Sequence, residues 1–494
     1  MKKPEQPEHM SRQTGHTVSR RDLFKAGAAG SLMAAAAAQQ QTAGAATAKA
    51  LAPITQAGPA SKYTPKLHAA FVRREDPYGM RWPGAVYDGE AALKRYRIQM
   101  LDAAEALGVT LDLRDKPVYS EAEGGEWVAA AEKAHADGLV VVLLDRQEHA
   151  WPTATLAVNS PVPAVIFAPL GAAFTTNTRK IANTPGGLIC CSDDFGEAAL
   201  GMKALYAGSK LRETRYAVLK GTERKDTLIA DFGVKLRYLP AGTFAEKYRA
   251  MPDSQEIDVL ANAYINDAQQ VAGPTKTDVR HGVKSFLVAR EILQEEEADA
   301  ITMDCLGALG KTDISLPCIS WSYMLDMGIP AACEADHSAC VTHALALYLL
   351  DRPGFQQDPV PETKHNWLTG AHCTCATQLD GLDKPPVPYR IQPHHGMRDA
   401  TPVPAWETGR RVTVFDVRLR NGASPPDMYI STGEVAGMNS VPPCGGCVVS
   451  VNLKLDGDPD LLNFPGFHQL FVYGDFKKEL TGYCKLFGIN PVIV

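Results

Sequence analysis

No G-x-G-x-x-G fingerprint follows an apolar strand in this sequence, and no Walker A phosphate loop occurs in its 494 residues. Nucleotide binding through a glycine-rich cradle at a helix N-terminus therefore has no support. Charge of one sign is scarce: 50 Lys+Arg against 56 Asp+Glu leave a formal net charge of −6. Neither a basic face for nucleic acid nor an acidic tail follows from that balance. Beyond the N-terminal segment no apolar run is long enough to span a bilayer, so no stable membrane span is expected. Internal repeats are absent. The remaining composition, 45% hydrophobic and 21% charged, is that of a globular protein. The length suits roughly two to four domains.

The first residues are polar and carry Ser19-Arg20-Arg21-Asp22-Leu23-Phe24-Lys25. A weakly apolar, alanine-rich stretch follows from Ala26 to Ala38, and then the A-x-A site Ala46-Thr47-Ala48. Paired arginines, apolar segment and cleavage site in that order predict a twin-arginine signal peptide over 1–48. The expected partner is the twin-arginine translocase and the expected location is periplasmic or extracellular. This route carries folded proteins, so a metal can be loaded before export. Residues 49–64, rich in Ala, Pro and Thr, read as a linker.

Eleven cysteines are present, an odd number. Most lie in apolar segments, which predicts buried thiols behaving as small hydrophobes.

From residue 65 strand and helix patterns alternate. Strands are expected at 68–72, 109–113, 139–144, 164–168 and 188–191, and helices at 91–107 and 126–136. The continuous run Leu139–Leu144 reads as a strand buried on both faces of a parallel sheet. A second unit, 213–354, has expected strands at 216–219, 300–304 and 330–333 and helices at 281–297, 320–327 and 337–350. The alternation predicts α/β architecture, with an N-terminal domain over 65–212. After Gly354 prolines and turn residues become dense and helices vanish. Short β-type runs at 411–417, 427–431, 447–454 and 470–473, with one late helix at 476–487, predict a β-rich domain over 355–494.

Four segments carry chemistry. In Gly328–His337, Glu334 and Asp336 are spaced to share one face at the C-terminal end of a strand, where α/β sites form; they equally suit an N-cap for the following helix. His372, beside Cys373, is a metal ligand or a buried structural histidine. His468 precedes an apolar strand and has the same two readings. Cys444 and Cys447 form a C-x-x-C that, with Cys373 and Cys375, makes a zinc or redox site the minority reading.

The order Asp304-Cys305, Pro317-Cys318, Gly328 to Asp336, His372-Cys373, His468 and Phe487-Gly488-Ile489-Asn490-Pro491-Val492 resembles the L-fucose/L-arabinose isomerases over roughly 280–494. The resemblance implies two Rossmann-like doubly wound domains followed by a β-barrel-like domain. It implies Mn²⁺ or a similar divalent ion, a sugar substrate, and aldose–ketose interconversion through an ene-diolate. A hard ion would hold both sugar oxygens while a carboxylate shuttles the proton. On that pattern Asp336 and His468 ligate the metal. Glu334 or His372 is a further ligand or the proton shuttle, and the catalytic pair is Glu334 and Asp336. The family carries a further acid upstream. Here Cys305–Gly310 has none, with Ala308 at the corresponding position and Asp304 and Asp313 the nearest carboxylates, so Asp304 is the substitute ligand. The family's trimers or hexamers imply a homo-oligomer. The alternative reading is a non-catalytic carbohydrate-binding protein on the same scaffold.

Overall fold

The apolar run Gly138–Leu143 is a strand with all six residues buried, and it lies at the centre of a five-stranded parallel sheet. The computed structural model describes residue 54 and residues 56–494 apart from 81–86, 395–397 and 440–446. The proposed signal, 1–48, and Cys444 lie outside the described residues. The spatial order is Thr110–Leu113, Lys66–Val72, Gly138–Leu143, Ala164–Ala168 and Gly187–Cys191, with every pairing parallel. In chain order this is 2-1-3-4-5, so the winding reverses between the first and third strands.

Alternate residues feed opposite faces, as the period of two in a strand requires. Leu67, Ala69, Phe71, Val140 and Val142 pack on Tyr96 and Met100 of helix Gly89–Leu107 and on Met202 and Leu205 of helix Gly196–Glu213. Ala70, Val72, Leu139, Val141 and Leu143 pack on Trp127 and Val128 of helix Glu121–Lys133 and on Ala154 and Ala157 of helix Trp151–Val158.

The second sheet places Ala331–Cys333, Ala300–Met303, Arg215–Leu219 and Val234–Leu239 in parallel, with Lys225–Ile229 as an antiparallel edge. Helix Lys276–Glu295 starts in a capping box between Thr275 and Asp278. Helix His337–Leu350 has almost no solvent face. It packs on helix Gly196–Glu213 and on the C-terminal strands Arg411–Arg418 and Gln469–Tyr473.

The C-terminal part is a closed six-stranded barrel. Going round, Arg411–Arg418, Gln469–Tyr473, Phe355–Glu362, Trp367–His372, Val449–Leu455 and Asp427–Met438 pair antiparallel, and the last returns to the first. Phe355, Leu368, Val414, Val451, Leu453 and Phe471 form its core. Closure removes the open edges that short strands would otherwise expose. The terminal strand Asn490–Ile493 adds in parallel beside Asp427–Ile430. One apolar cluster runs from Leu67 and Val140 through Tyr216 and Leu345 to Phe415 and Leu470, so the layers share a core and residues 52–494 are one unit.

The expected linker differs in part from the structure. Pro59–Lys62 forms a short helix whose Ala60 and Ser61 amides donate to the Asp299 carboxylate at 3.1 and 2.9 Å. The sequence pattern predicts no strand over Phe355–Glu362, where Pro359 and Pro361 speak against a ladder. Of this strand, Gln469–Tyr473 pairs with Phe355–Gln357 alone, so residues 358–362 are bonded on one side and tolerate missing N–H groups.

The turn before Val234–Leu239 is tied to the barrel by Asp231, whose carboxylate accepts the amides of Arg420, Asn421 and Gly422 at 2.6, 2.9 and 2.5 Å. Asp231→Ala strands three donors of a charge-assisted set and is expected to cost about 1–3 kcal/mol. Urea unfolding checks this; an unchanged midpoint would show that water replaces the carboxylate.

Candidate metal centre

Strand Ala331–Cys333 ends the second sheet at its edge, and the chain does not leave it extended. Glu334 and Ala335 are both left-handed, with φ of 62° and 52°. Such a conformation costs a non-glycine residue roughly 1–2 kcal/mol, and it recurs at His468, φ 54°. The double reversal breaks the strand alternation that would have put Glu334 and Asp336 on one face. Asp336 instead caps helix His337–Leu350, its Oδ1 accepting the Ala339 amide at 3.1 Å.

His372 closes its strand and His468 immediately precedes another; they are only 4% and 3% exposed. Their rings meet edge-on at 5.6 Å. Glu334 lies between them, with Oε1 3.8 Å from His372 Nε2 and Oε2 3.5 Å from His468 Nε2. One ligand atom from each of the three lies within 4.8 Å of the other two, and theirs is the one such group of three among the described residues.

A fourth side chain joins them. Gln357 pairs with Gln469, so Asp358 and His468 occupy the next position of that ladder, where the strands part. Asp358 Oδ1 is 3.2 Å from His468 Nε2. Sequence reasoning missed Asp358, which stands in a Gln-Asp-Pro-Val-Pro stretch without periodicity; only the tertiary register shows it.

Asp336 sits behind the cluster. Its Oδ2 accepts from His468 Nδ1 at 2.9 Å, which puts the ring proton on Nδ1 and turns Nε2 toward Glu334 and Asp358. Both Asp336 oxygens are thus engaged away from the convergence point. This differs from its expected role as a ligand and catalytic acid, and suits it to orienting the His468 ring. Asp304 caps the short helix Cys305–Leu309, accepting the Gly307 amide at 3.1 Å, and is not among the converging atoms. Cys375 is fully buried, and Cys373 faces Cys447.

Electrostatics follow from this packing. Burial alone would lower the His468 pKa, but the hydrogen bond to Asp336 and the adjacent Asp358 carboxylate outweigh it and hold it up at about 9. Burial pushes the Asp336 and Asp358 carboxyls up, but contact with His468 wins and both lie below their ordinary value. Asp416, buried behind the cluster and repelled by Asp336, is raised to about 7.

Two atoms argue that the cluster fits a cation. His468 Nε2 and Asp358 Oδ1 are buried and face each other as an ion pair at 3.2 Å, and neither makes a well-aligned hydrogen bond. A buried polar atom left in that state calls for a partner. Two imidazoles and two carboxylates form a mixed N/O donor set suited to a divalent first-row ion. Access is from solvent: the Glu334 and Asp358 side chains are 40% and 38% exposed, beside the exposed Phe467 ring. A cavity of 820 Å³ lined by Arg352, Lys384, Arg410 and Tyr473 shares none of these residues.

Asp336→Asn keeps a good N-cap while removing the charge that orients His468. It is expected to weaken Mn²⁺ binding about 10–100-fold while leaving the helix in place. Calorimetric titration with Mn²⁺ checks this, and unaltered affinity would remove Asp336 from the site. Among the described residues no helix is long and apolar enough to cross a membrane, and ten cysteines are thiols, none in a disulfide. Neither protein-family models nor curated proteins match this chain.

Proposed function

We propose that the chain is an exported, metal-dependent aldose–ketose isomerase of the fucose isomerase-like kind, with Glu334, Asp358, His372 and His468 holding Mn²⁺ or a similar divalent ion. The observation that carries this reading is the convergence of Glu334, His372 and His468, with the Asp358 carboxylate 3.2 Å from His468 Nε2, where an edge strand of a parallel sheet meets the barrel. Parallel sheets followed by a closed barrel support the fold that the resemblance implies.

When bound, the ion supplies electrostatic stabilisation of negative charge on two neighbouring oxygens of an open-chain sugar. The chain's own residues do the rest. Glu334, between the imidazoles and open to solvent, takes the proton from one sugar carbon and returns it to the next. Asp358, reaching in from the barrel, provides the second carboxylate that the segment around Ala308 lacks. Asp336 fixes the His468 ring. Phe467, its ring 4.4 Å from that of His468, offers an apolar face at the mouth.

The test is incubation of the purified protein and Mn²⁺ with a panel of aldoses, L-fucose and L-arabinose included, and detection of ketose. Conversion supports the proposal. Sugar binding without conversion on any member would replace it with the carbohydrate-binding reading, and neither binding nor conversion would sink both.

A further inference from the structure

Beside the proposed metal centre lie two thiols that the isomerase chemistry does not use. Cys373 directly follows His372, and Cys447 stands two residues before Val449, the last residue to pair with His372 across the barrel ladder. Their Sγ atoms are 3.7 Å apart. Cys373 is buried and Cys447 half-buried, so a small reagent reaches the pair through Cys447. Nothing in the fold separates the two sulfurs.

We propose that Cys373 and Cys447 are a reversible redox pair whose disulfide reshapes the metal centre through His372. The reaction is exchange with an external disulfide, such as oxidised glutathione. The Cys447 thiolate attacks one sulfur of the reagent and releases one glutathione thiol. Cys373 then attacks the mixed disulfide, forms the Cys373–Cys447 bond and releases the second. Two protein thiols are oxidised, one disulfide is reduced to two thiols, and the protons lost from Cys373 and Cys447 end on the glutathiones. A protein disulfide needs its sulfurs at about 2.05 Å, so closure draws the two strand ends together. His372, bonded to Cys373 and ending its strand, moves with them, and its Nε2 leaves the position facing Glu334. Bond formation stands without the metal reading; only its consequence for the ion rests on that reading.

The experiment equilibrates the full chain across a series of reduced-to-oxidised glutathione ratios, blocks remaining thiols and maps peptides by mass spectrometry. Mn²⁺ affinity is measured on the fully reduced and fully oxidised samples. The expected result is one cross-link, Cys373–Cys447, formed equally in Cys444→Ser. Mn²⁺ should bind the oxidised form about tenfold or more weakly, and Cys447→Ser should abolish the oxidant's effect. The pair is overturned if both thiols stay alkylatable at every ratio, or if Cys447 links to Cys444 or to another thiol instead. The coupling is overturned if the Cys373–Cys447 bond forms and Mn²⁺ affinity is unchanged. Failure of the reduced protein to bind Mn²⁺ would count against the metal centre alone, because the cross-link is read by mass.

Discussion

Asp358→Asn is expected to release bound Mn²⁺ and to lower aldose–ketose turnover by about 10²–10⁴-fold, the range a lost acid–base or ligand group commands, while leaving the far-ultraviolet circular dichroism unchanged. The argument is geometric. The Asp358 side chain is part exposed, on a strand bonded at that point to one neighbour only, so the exchange disturbs little packing. What it removes is a negative charge 3.2 Å from His468 Nε2. An outer partner of a metal ligand typically affects affinity 10–100-fold, and a direct ligand should exceed that. Asp358→Asn must therefore weaken Mn²⁺ more than Asp336→Asn does. Metal content by plasma emission and ketose formation give the two readouts. The reverse order would mean that Asp336 binds the ion after all, as the family resemblance implies.

The reversal at Glu334 decides between these two acids. Had the chain stayed extended past Cys333, positions 334 and 336 would face the same way, as their spacing suggests. Two left-handed residues in succession turn Glu334 toward the histidines and leave Asp336 at the helix N-terminus. The strain is local and sits at residues proposed to bind the ion, where it fixes directions that an unstrained strand-to-helix turn would leave open.

How much of this was legible depends on the range of the interactions. Strands buried on both faces, such as 138–143 and 164–168, announce themselves as apolar runs. Helix His337–Leu350 matched its expected bounds because it is apolar all round with an acid at its cap. Strands at 225–229 and 234–239 alternate too weakly to stand out, and those at 355–362 and 398–404 carry prolines. His372, His468 and Glu334 were singled out by residue type and by resemblance, and they meet. Asp358 was not, since its partnership with His468 exists only through the register Gln357–Gln469, between residues more than a hundred positions apart. Asp336 lies in the expected neighbourhood but caps a helix and bonds His468 Nδ1, because a backbone reversal has no periodic signature.

The same geometry fixes the sign of the pH dependence, and it differs between metal-free and metal-loaded protein. Without metal, the folded-state pKa of His468 is raised from 6.5 to about 9. Its contribution to stability is then complete below the unfolded value and is lost as pH rises through about 9; a shift of that size corresponds to a contribution on the order of 3 kcal/mol. Asp336 and Asp358 are lowered, so theirs is present above the ordinary carboxylate value of 3.8 and is lost only as pH falls below it. The metal-free protein should accordingly lose thermal stability between about pH 7 and 10 through this site. Mn²⁺ must displace the proton from His468 Nε2, so its apparent dissociation constant should fall about tenfold per unit from about pH 6 to 8 and level off above about 9. The stabilisation conferred by saturating Mn²⁺ therefore grows over the same interval in which the metal-free protein weakens. Asp336→Asn removes the carboxylate that most raises His468, so its plateau should begin at lower pH even though its limiting affinity is poorer. Thermal scans with and without Mn²⁺ across this range read both effects. A dissociation constant that stays flat from about pH 6 to 9 would show that no proton leaves on binding, and His468 Nε2 would then not be where the ion is held.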